Sequence, residues 1–373
     1  MRYLPGWLYR DERGTVVILV AILLIVLLGM GALVIDAGAL FESRRKLVTI
    51  ADSAAIAGAD EMANQILFVY SGTPSEELPE DIKAAIVQAA EAKAIEYAMS
   101  NGAKSSEVDV SAVWSGKKVT VDIARDNSLS FARVLGWNSA VTGAHAIAIT
   151  GPIHTLGDGA VPIFVPDGTY SAGEPLVIHY KDLKGGDPPM PGNYYALDLG
   201  EQGGGAKDYL NDLKGGYADT IVTGQTIPTE TGNMPNPTEN GIQYRLDACR
   251  IGVAEDKSVT PPLPARLPCI HPNGVDCTWD KHASECPREV MIVVCSWITY
   301  PKGPGEPSGK TVLTVEGFLP FFIDGIAMDG TLTPPSQTTI VGHVISEVEP
   351  GKVIGDDGSP GNDYGAWAVN LIQ

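Results

Sequence analysis

The chain contains no C-x-x-C, no H-E-x-x-H and no G-x-S-x-G. The first absence removes the usual zinc knuckle, the second the helix-borne metal-hydrolase pair, and the third the nucleophile elbow. Histidine is scarce, six residues in all, and scattered. The stretch "GPGEPSGKT" at 303–311 imitates a phosphate loop, but the spacing G-x-x-x-x-G-K-T needs glycine where Pro304 stands. "GDDGSPGND" at 355–363 carries Asp356, Asp357, Asn362 and Asp363 but misses the EF-hand spacing, so it reads as a surface turn. No enzyme, cofactor or metal site is expected from these patterns.

Charge is missing where it matters most. From Thr15 to Ile35 there are 21 residues without one. As a helix they would extend about 31 Å, the thickness of a bilayer's hydrocarbon layer. Val, Ile and Leu surround the helix on all sides, whereas a soluble helix would keep a polar face. Three membrane readings compete. A cleaved secretory signal has a shorter apolar core, although Ala37-Gly38-Ala39 supplies small residues for a cut. A prepilin-type leader would be cut after Gly14, but Leu19 stands where such chains usually carry glutamate. An uncleaved anchor over 15–35, with 1–14 in the cytoplasm, fits the length directly and is the preferred reading.

Flanking charge does not orient this anchor. Arg2, Arg10 and Arg13 on one side balance Arg44, Arg45 and Lys46 on the other. The whole chain holds 26 basic and 45 acidic residues, of which six and four fall in the first 46. The remainder keeps 20 and 41, a net of −21. Such a body repels phosphate backbones, which argues against nucleic acid as a partner. Cysteine is absent until Cys249, and Cys269, Cys277, Cys286 and Cys295 then follow at spacings of eight, nine and nine. His271 and His282 lie within this cluster. All five cysteines are disulfide candidates, with one left over and the pairing open. Disulfides need an oxidising compartment, which places the body outside the cell.

Proline is missing from Asp36 to Tyr70, and apolar residues recur there at helical spacing, so the anchor helix is expected to continue. Ala51, Ala55 and Ala59 form a four-spaced ladder of small residues, with Ala54 and Gly58 beside it. Such ladders let another backbone approach. A second helix is expected from Pro79 to about Ser100, stopped by Asn101-Gly102 and carrying Ala90, Ala94 and Ala98. Alternating residues then predict a hairpin at 108–123, a short helix at "LSFARVLG" and a strand at "AHAIAIT". His145 shares a face with Ile147 and Ile149 and is expected to be at least half-buried. Residues 36–152 thus form a small α+β unit. Beyond Gly151, proline and glycine rise and short apolar runs alternate with polar loops, which predicts a β-rich, sandwich-like domain over 153–373. Its expected strands are 161–165, 175–180, 194–199, 219–223, 290–299, 311–315, 318–323, 339–345 and 366–372, with 224–289 rich in loops.

The run "RGTVVILVAILLIVLLGMGALVIDAGALFESRRKLVTIADSAAIAGADEM" resembles the N-terminal Tad-type segment of TadG-like proteins of Flp (tight-adherence) pilus systems. The likeness lies in Arg13-Gly14, the apolar run, Asp36 and Gly38, Arg44-Arg45, and Ala51-Asp52-Ser53-Ala54-Ala55-Ile56-Ala57-Gly58-Ala59. "SFARVLG", "ALDLG", "VEGFLPFFIDG" and "YGAWAVNLI" resemble this group more faintly. The resemblance implies a single-pass, pseudopilin-like component of pilus assembly, with other pilus-system membrane proteins as partners, or further copies of itself. Asp36, Gly38, Ala51, Asp52, Ala55, Gly58 and Ala59 are the expected helix-interaction residues. Asp36 sits where the helix leaves hydrocarbon, where an ionisable side chain suggests a function. The alternative is a cell-surface adhesin or glycan-binding module, with Tyr194, Tyr195, Trp279, Trp297 and Trp367 as aromatic platforms.

Overall fold

A computed structural model describes residues 13–69, 75–179, 196–200, 205–230, 234–257, 263, 265–269, 277–282, 286–297, 312–328, 338–348, 351–354 and 361–372. Helix α1, Arg13–Asn64, is one uninterrupted element of 52 residues. At 1.5 Å per residue it extends about 78 Å. Good helix formers and the absence of proline explain its length. Its first half is exposed from Val16 to Ile35 apart from half-covered Ala32, and its most apolar 18-residue window has mean hydropathy 3.2 with nothing buried. Its second half is a core element. Asp36, Leu47, Ile50, Ala51, Ala54, Ala55, Ala59 and Met62 are all buried.

Helix α2, Glu80–Ser100, starts with Glu80 and Asp81, whose charges oppose the helix dipole. It stops at Asn101, followed by Gly102 at φ 95°. Ile86, Ala90, Ala94 and Ala98 form its buried edge. The two helices approach closely because small residues face each other. A Cβ added at Gly58 would lie 2.9 Å from the Ala90 carbonyl oxygen and 3.0 Å from the Ala94 Cβ.

Both helices lie on a sheet of β1 (Val108–Val113), β2 (Lys118–Ser128), β3 (Ser139–Pro152), β14 (Ala366–Ile372) and β12 (Glu347–Val348), in the order β1-β2-β3-β14-β12. Its pairings are antiparallel except β12 with β14. On β3, Ala144, Ala146 and Ala148 pack on the helices. His145 therefore points the other way. It is exposed and pairs with Asp122 across the strands at 2.8 Å, which corrects the expected burial. The reason is that the helices take the alanine face of β3, where short side chains allow close approach.

The last strand, β14, joins this first sheet, so the N-terminal unit is completed by the C-terminus rather than ending at 152. Trp367 is buried among the helices, while its neighbours Ala366 and Ala368 belong to the core on the opposite face. The sheet is therefore a middle layer shared by two cores.

The second sheet runs β5 (Ala160–Pro166), β9 (Glu289–Trp297), β10 (Val312–Met328), β11 (Thr338–Val344), β6 (Pro175–His179), with β8 (Thr226–Pro228) also paired to β10. Only β5 with β9 is parallel. The two expected strands 311–315 and 318–323 are one strand, β10, kept continuous by a register shift between Val315 and Gly317. A small sheet of β13 (Gly351–Lys352), β4 (Thr155–Leu156) and β7 (Ile221–Val222) contributes Leu156 and Ile221 to the core on one face of the second sheet. The other face is covered by helices α3 (Gly205–Gly215) and α4 (Pro235–Arg250), through Tyr209, Leu213, Ile242 and Leu246. This region is β-rich, as expected, with helical cover on one face. Both helices fall outside the sequence expectation, α4 because Pro235, Pro237 and Gly241 interrupt its pattern and α3 because it is short and ends in glycine on both sides.

Candidate functional site

The polar centre of the molecule lies where the exposed apolar half of α1 meets its buried half. Asp36 heads the buried stripe and is 6% exposed. Its carboxylate accepts three main-chain N–H groups from a distant loop: Ser130 at 2.9 Å, Phe131 at 2.9 Å and Ala132 at 2.6 Å. These belong to the start of a short 3-10 turn, Ala132–Leu135, whose first N–H groups have no partner of their own. The aspartate is thus a helix cap delivered from another element. The Ala132 bond foremost, with those from Ser130 and Phe131, outweighs burial and holds the carboxyl below the ordinary carboxylate range.

Two turns further along α1, a second polar clasp grips the same hairpin. The Ser43 hydroxyl donates to Asn127 Oδ1 at 2.7 Å, and Asn127 Nδ2 donates to Thr142 Oγ1 at 2.8 Å. Between the clasps lies a cavity of about 340 Å³ lined by Ile35, Asp36, Leu40, Asn127 and Leu129 among others. Leu129 and Ala132 are buried. Three other large side chains of the loop are not. Phe131 is 45% exposed, Trp137 64% and Val134 89%. An apolar loop tip is therefore held beside the end of the apolar helix run.

The structure divides the expected helix-interaction residues. Ala51, Ala55, Gly58 and Ala59 are buried within the chain's own helix and sheet packing. Gly38 faces open space. Asp52 is half-buried and shares an outward side of α1 with exposed Phe41, Val48 and Ile56. Signals for the 129–137 loop were present in the sequence as Leu129, Phe131 and Trp137, but nothing local tied them to Asp36.

No S–S bond joins the five cysteines in the structure, and the expected pairing stays open. Cys249, Cys269, Cys277 and Cys286 converge in one place, with their sulfur atoms all within 4.8 Å of one another. Cys295 lies apart, buried in a separate core with Met291 and Val293. Trp367 is fully buried, and its indole N–H donates to Asp363 at 2.8 Å. Trp279 stacks on His343 with ring centres 5.1 Å apart. Tyr194, Tyr195, the Trp297 side chain, His271, the 303–311 stretch and most of 355–363 lie outside the described residues.

A long helix, bare and apolar at one end and built into a helix-on-sheet body at the other, has the architecture of a membrane-anchored protein. Residues 14–61 match the family model "Putative Flp pilus-assembly TadE/G-like", so the anchor and the stripe beyond it are a Tad segment. No curated protein and no solved structure matches the chain.

Proposed function

We propose that the chain is a single-pass, pseudopilin-like assembly component of a Flp (Tad-type) pilus, with its acidic body on the outer side of the membrane. The observation that carries this reading is the division of α1 at Asp36 into a bare apolar half and a core half. A hinge-free rod of this kind sets the body at a fixed height above the bilayer. The Tad segment supports the link to pilus assembly. Flanking charge is tied, so the outer placement follows from the resemblance to Tad-type pilus proteins, which implies an extracytoplasmic body.

The Asp36 clasp sets a second contact. Because Asp36 follows the apolar run directly, the loop it holds lies at headgroup depth. Phe131, Val134 and Trp137 then enter the interface, where aromatic side chains are favoured. Collisional quenching by lipids brominated near the headgroup tests this. Trp137 fluorescence, taken as the difference from Trp137→Phe in full-length protein in bilayers, is expected to be quenched. Emission indifferent to bromination overturns it.

Contacts with other pilus-system proteins fall to the outward stripe of Phe41, Val48 and Ile56, with open Gly38 below, because α2 and the sheet already cover the alanine ladder. Deletion of the gene is expected to abolish or strongly reduce piliation, and the tagged protein to co-purify with pilus components. Normal piliation in the deletion strain contradicts the proposal. Protease added to intact cells, with the outer barrier opened, is expected to digest the body. A body protected until the inner membrane is lysed reverses the orientation.

A further inference from the structure

We propose that Cys249, Cys269, Cys277 and Cys286 bind one zinc-class divalent cation as a four-thiolate structural site. The first ground is geometric. Cys286 Sγ lies 3.5 Å from Cys277 Sγ and 3.7 Å from each of Cys249 and Cys269 Sγ. It has no preferred partner among the three, and all four atoms lie within 4.8 Å of one another. A tetrahedron with edges of that size places its centre about 2.3 Å from each sulfur, the length of a zinc–thiolate bond. A shared central partner accounts for the arrangement, whereas pairing would draw the sulfurs together two by two.

The second ground is charge. Four thiolates around a divalent cation leave a net of −2. Two guanidinium groups are buried beside them, Arg245 at 7% exposure and Arg288 at 4%. Arg288 Nη1 donates to the Cys277 carbonyl at 2.7 Å, and Arg245 Nη1 donates at 2.8 Å to the carbonyl of Pro287, the residue after Cys286. Among the described residues neither guanidinium forms an ion pair with a carboxylate. Buried cations call for a counter-charge, and a metal-thiolate centre supplies it in the matching amount.

The surroundings are those of a closed structural site. The Cys269 N–H donates to the Cys249 carbonyl at 2.8 Å, and the Arg288 main-chain N–H donates to the Cys286 sulfur. Such outer bonds orient metal ligands. Phe322 and Ile345 close the site with apolar surface. The ligands come from the end of α4 and from chain flanking the turn at 278–281, so no local C-x-x-C spacing exists for a sequence pattern to find. The site would fasten the end of α4 and the described chain around the turn at 278–281 to β10. Metal binding there is folding free energy.

The test uses the full chain purified in detergent without added chelator or reductant. Elemental analysis is expected to give one zinc per chain in the native protein and in Cys295→Ser, and almost none in Cys286→Ser. Because Cys286→Ser alters a buried position, two measurements on the native chain stand beside it. Stripping by a strong zinc chelator is expected to lower the unfolding temperature, and readdition of zinc to restore it. Cobalt loading is expected to produce intense sulfur-to-cobalt absorption in the near ultraviolet. The proposal is overturned by a metal-free native protein whose four cysteines map as two disulfides. It is equally overturned by four freely alkylated thiols with no bound metal and no thermal response to zinc. These results bear on the cysteine cluster alone and leave the pilus reading to its own tests.

Discussion

Asp36 and Ala132 are 96 positions apart in the chain, and the Ala132 N–H lies 2.6 Å from the Asp36 carboxylate. That bond, with its two companions, ties the tip of the β2–β3 hairpin to the helix where the apolar run ends. Asn at this position keeps one acceptor oxygen and loses the charge. Asp36→Asn is expected to raise amide exchange across 129–137 while leaving 80–100 protected. Unchanged exchange in the loop would show that the clasp is ornamental.

The same clasp predicts an acid response. A folded-state carboxyl held below its ordinary value of 3.8 contributes stability fully above that value and loses it as pH falls through the lower, folded one. Loop docking, followed by Trp137 emission against the Trp137→Phe control, is therefore expected to be constant from neutral pH to about 5 and to fail only in stronger acid. Undocking between pH 5 and 7 would contradict the assignment.

Asp212 behaves in the opposite sense. Burial first, and then the nearby charges of Asp208, Asp198 and Asp219, raise its carboxyl to about 7. A raised acid holds its proton more tightly in the folded state, so stability is lost as pH climbs from the unfolded value, about 3.9, towards 7. Asp212→Asn is expected to stabilise the body by on the order of 1 kcal/mol at pH 8, after allowance for partial solvent screening. It should do almost nothing at pH 4. Thermal melts of both proteins at the two pH values decide it.

Two glycines of α1 give a matched pair. At Gly58 an added Cβ meets the Ala90 carbonyl oxygen, the Ala94 Cβ and Val119 Cγ1, all at 3.0 Å or less. Gly58→Val is expected to cost about 1–3 kcal/mol through overpacking. At Gly38 nothing lies within 4 Å. Gly38→Ala is expected to be neutral or to stabilise the isolated chain by up to about 1 kcal/mol from helix propensity. If Gly38→Ala nevertheless impairs piliation, a partner packs there. Equal melting temperatures for the two variants would contradict the close approach of α1 and α2.

Periodicity made α1, α2 and the first hairpin legible, because each carries its own spacing and stop signals. The Ala51–Ala55–Ala59 ladder was legible as a contact surface, but its partner was not. An alanine stripe accepts any close backbone, and here α2 and β3 take it. Trp367 shows a different limit. Its strand is visible in the sequence as alternation, yet its place beside β3, more than 200 residues earlier, is set by which sheet edge is open. Helix α4 was hidden by the proline and glycine inside it and α3 by its shortness, and both are held as helices by burial of Tyr209, Leu213, Ile242 and Leu246 against the second sheet. The cysteine cluster escaped the spacing rules for a related reason, since its members meet only after those elements have packed. Asp36 was visible as an ionisable residue at a membrane edge, whereas its three donors were not, because main-chain N–H groups leave no mark in the sequence.

Carbonate extraction of cell membranes, followed by terminal sequencing of the retained protein, tests the central claim most directly. The account predicts that the mature chain stays in the membrane pellet with residues 15–35 still attached. Release into the soluble fraction of a chain that begins beyond Asp36 would contradict it, because neither the apolar rod nor the clasp at its end could then hold the body at the bilayer.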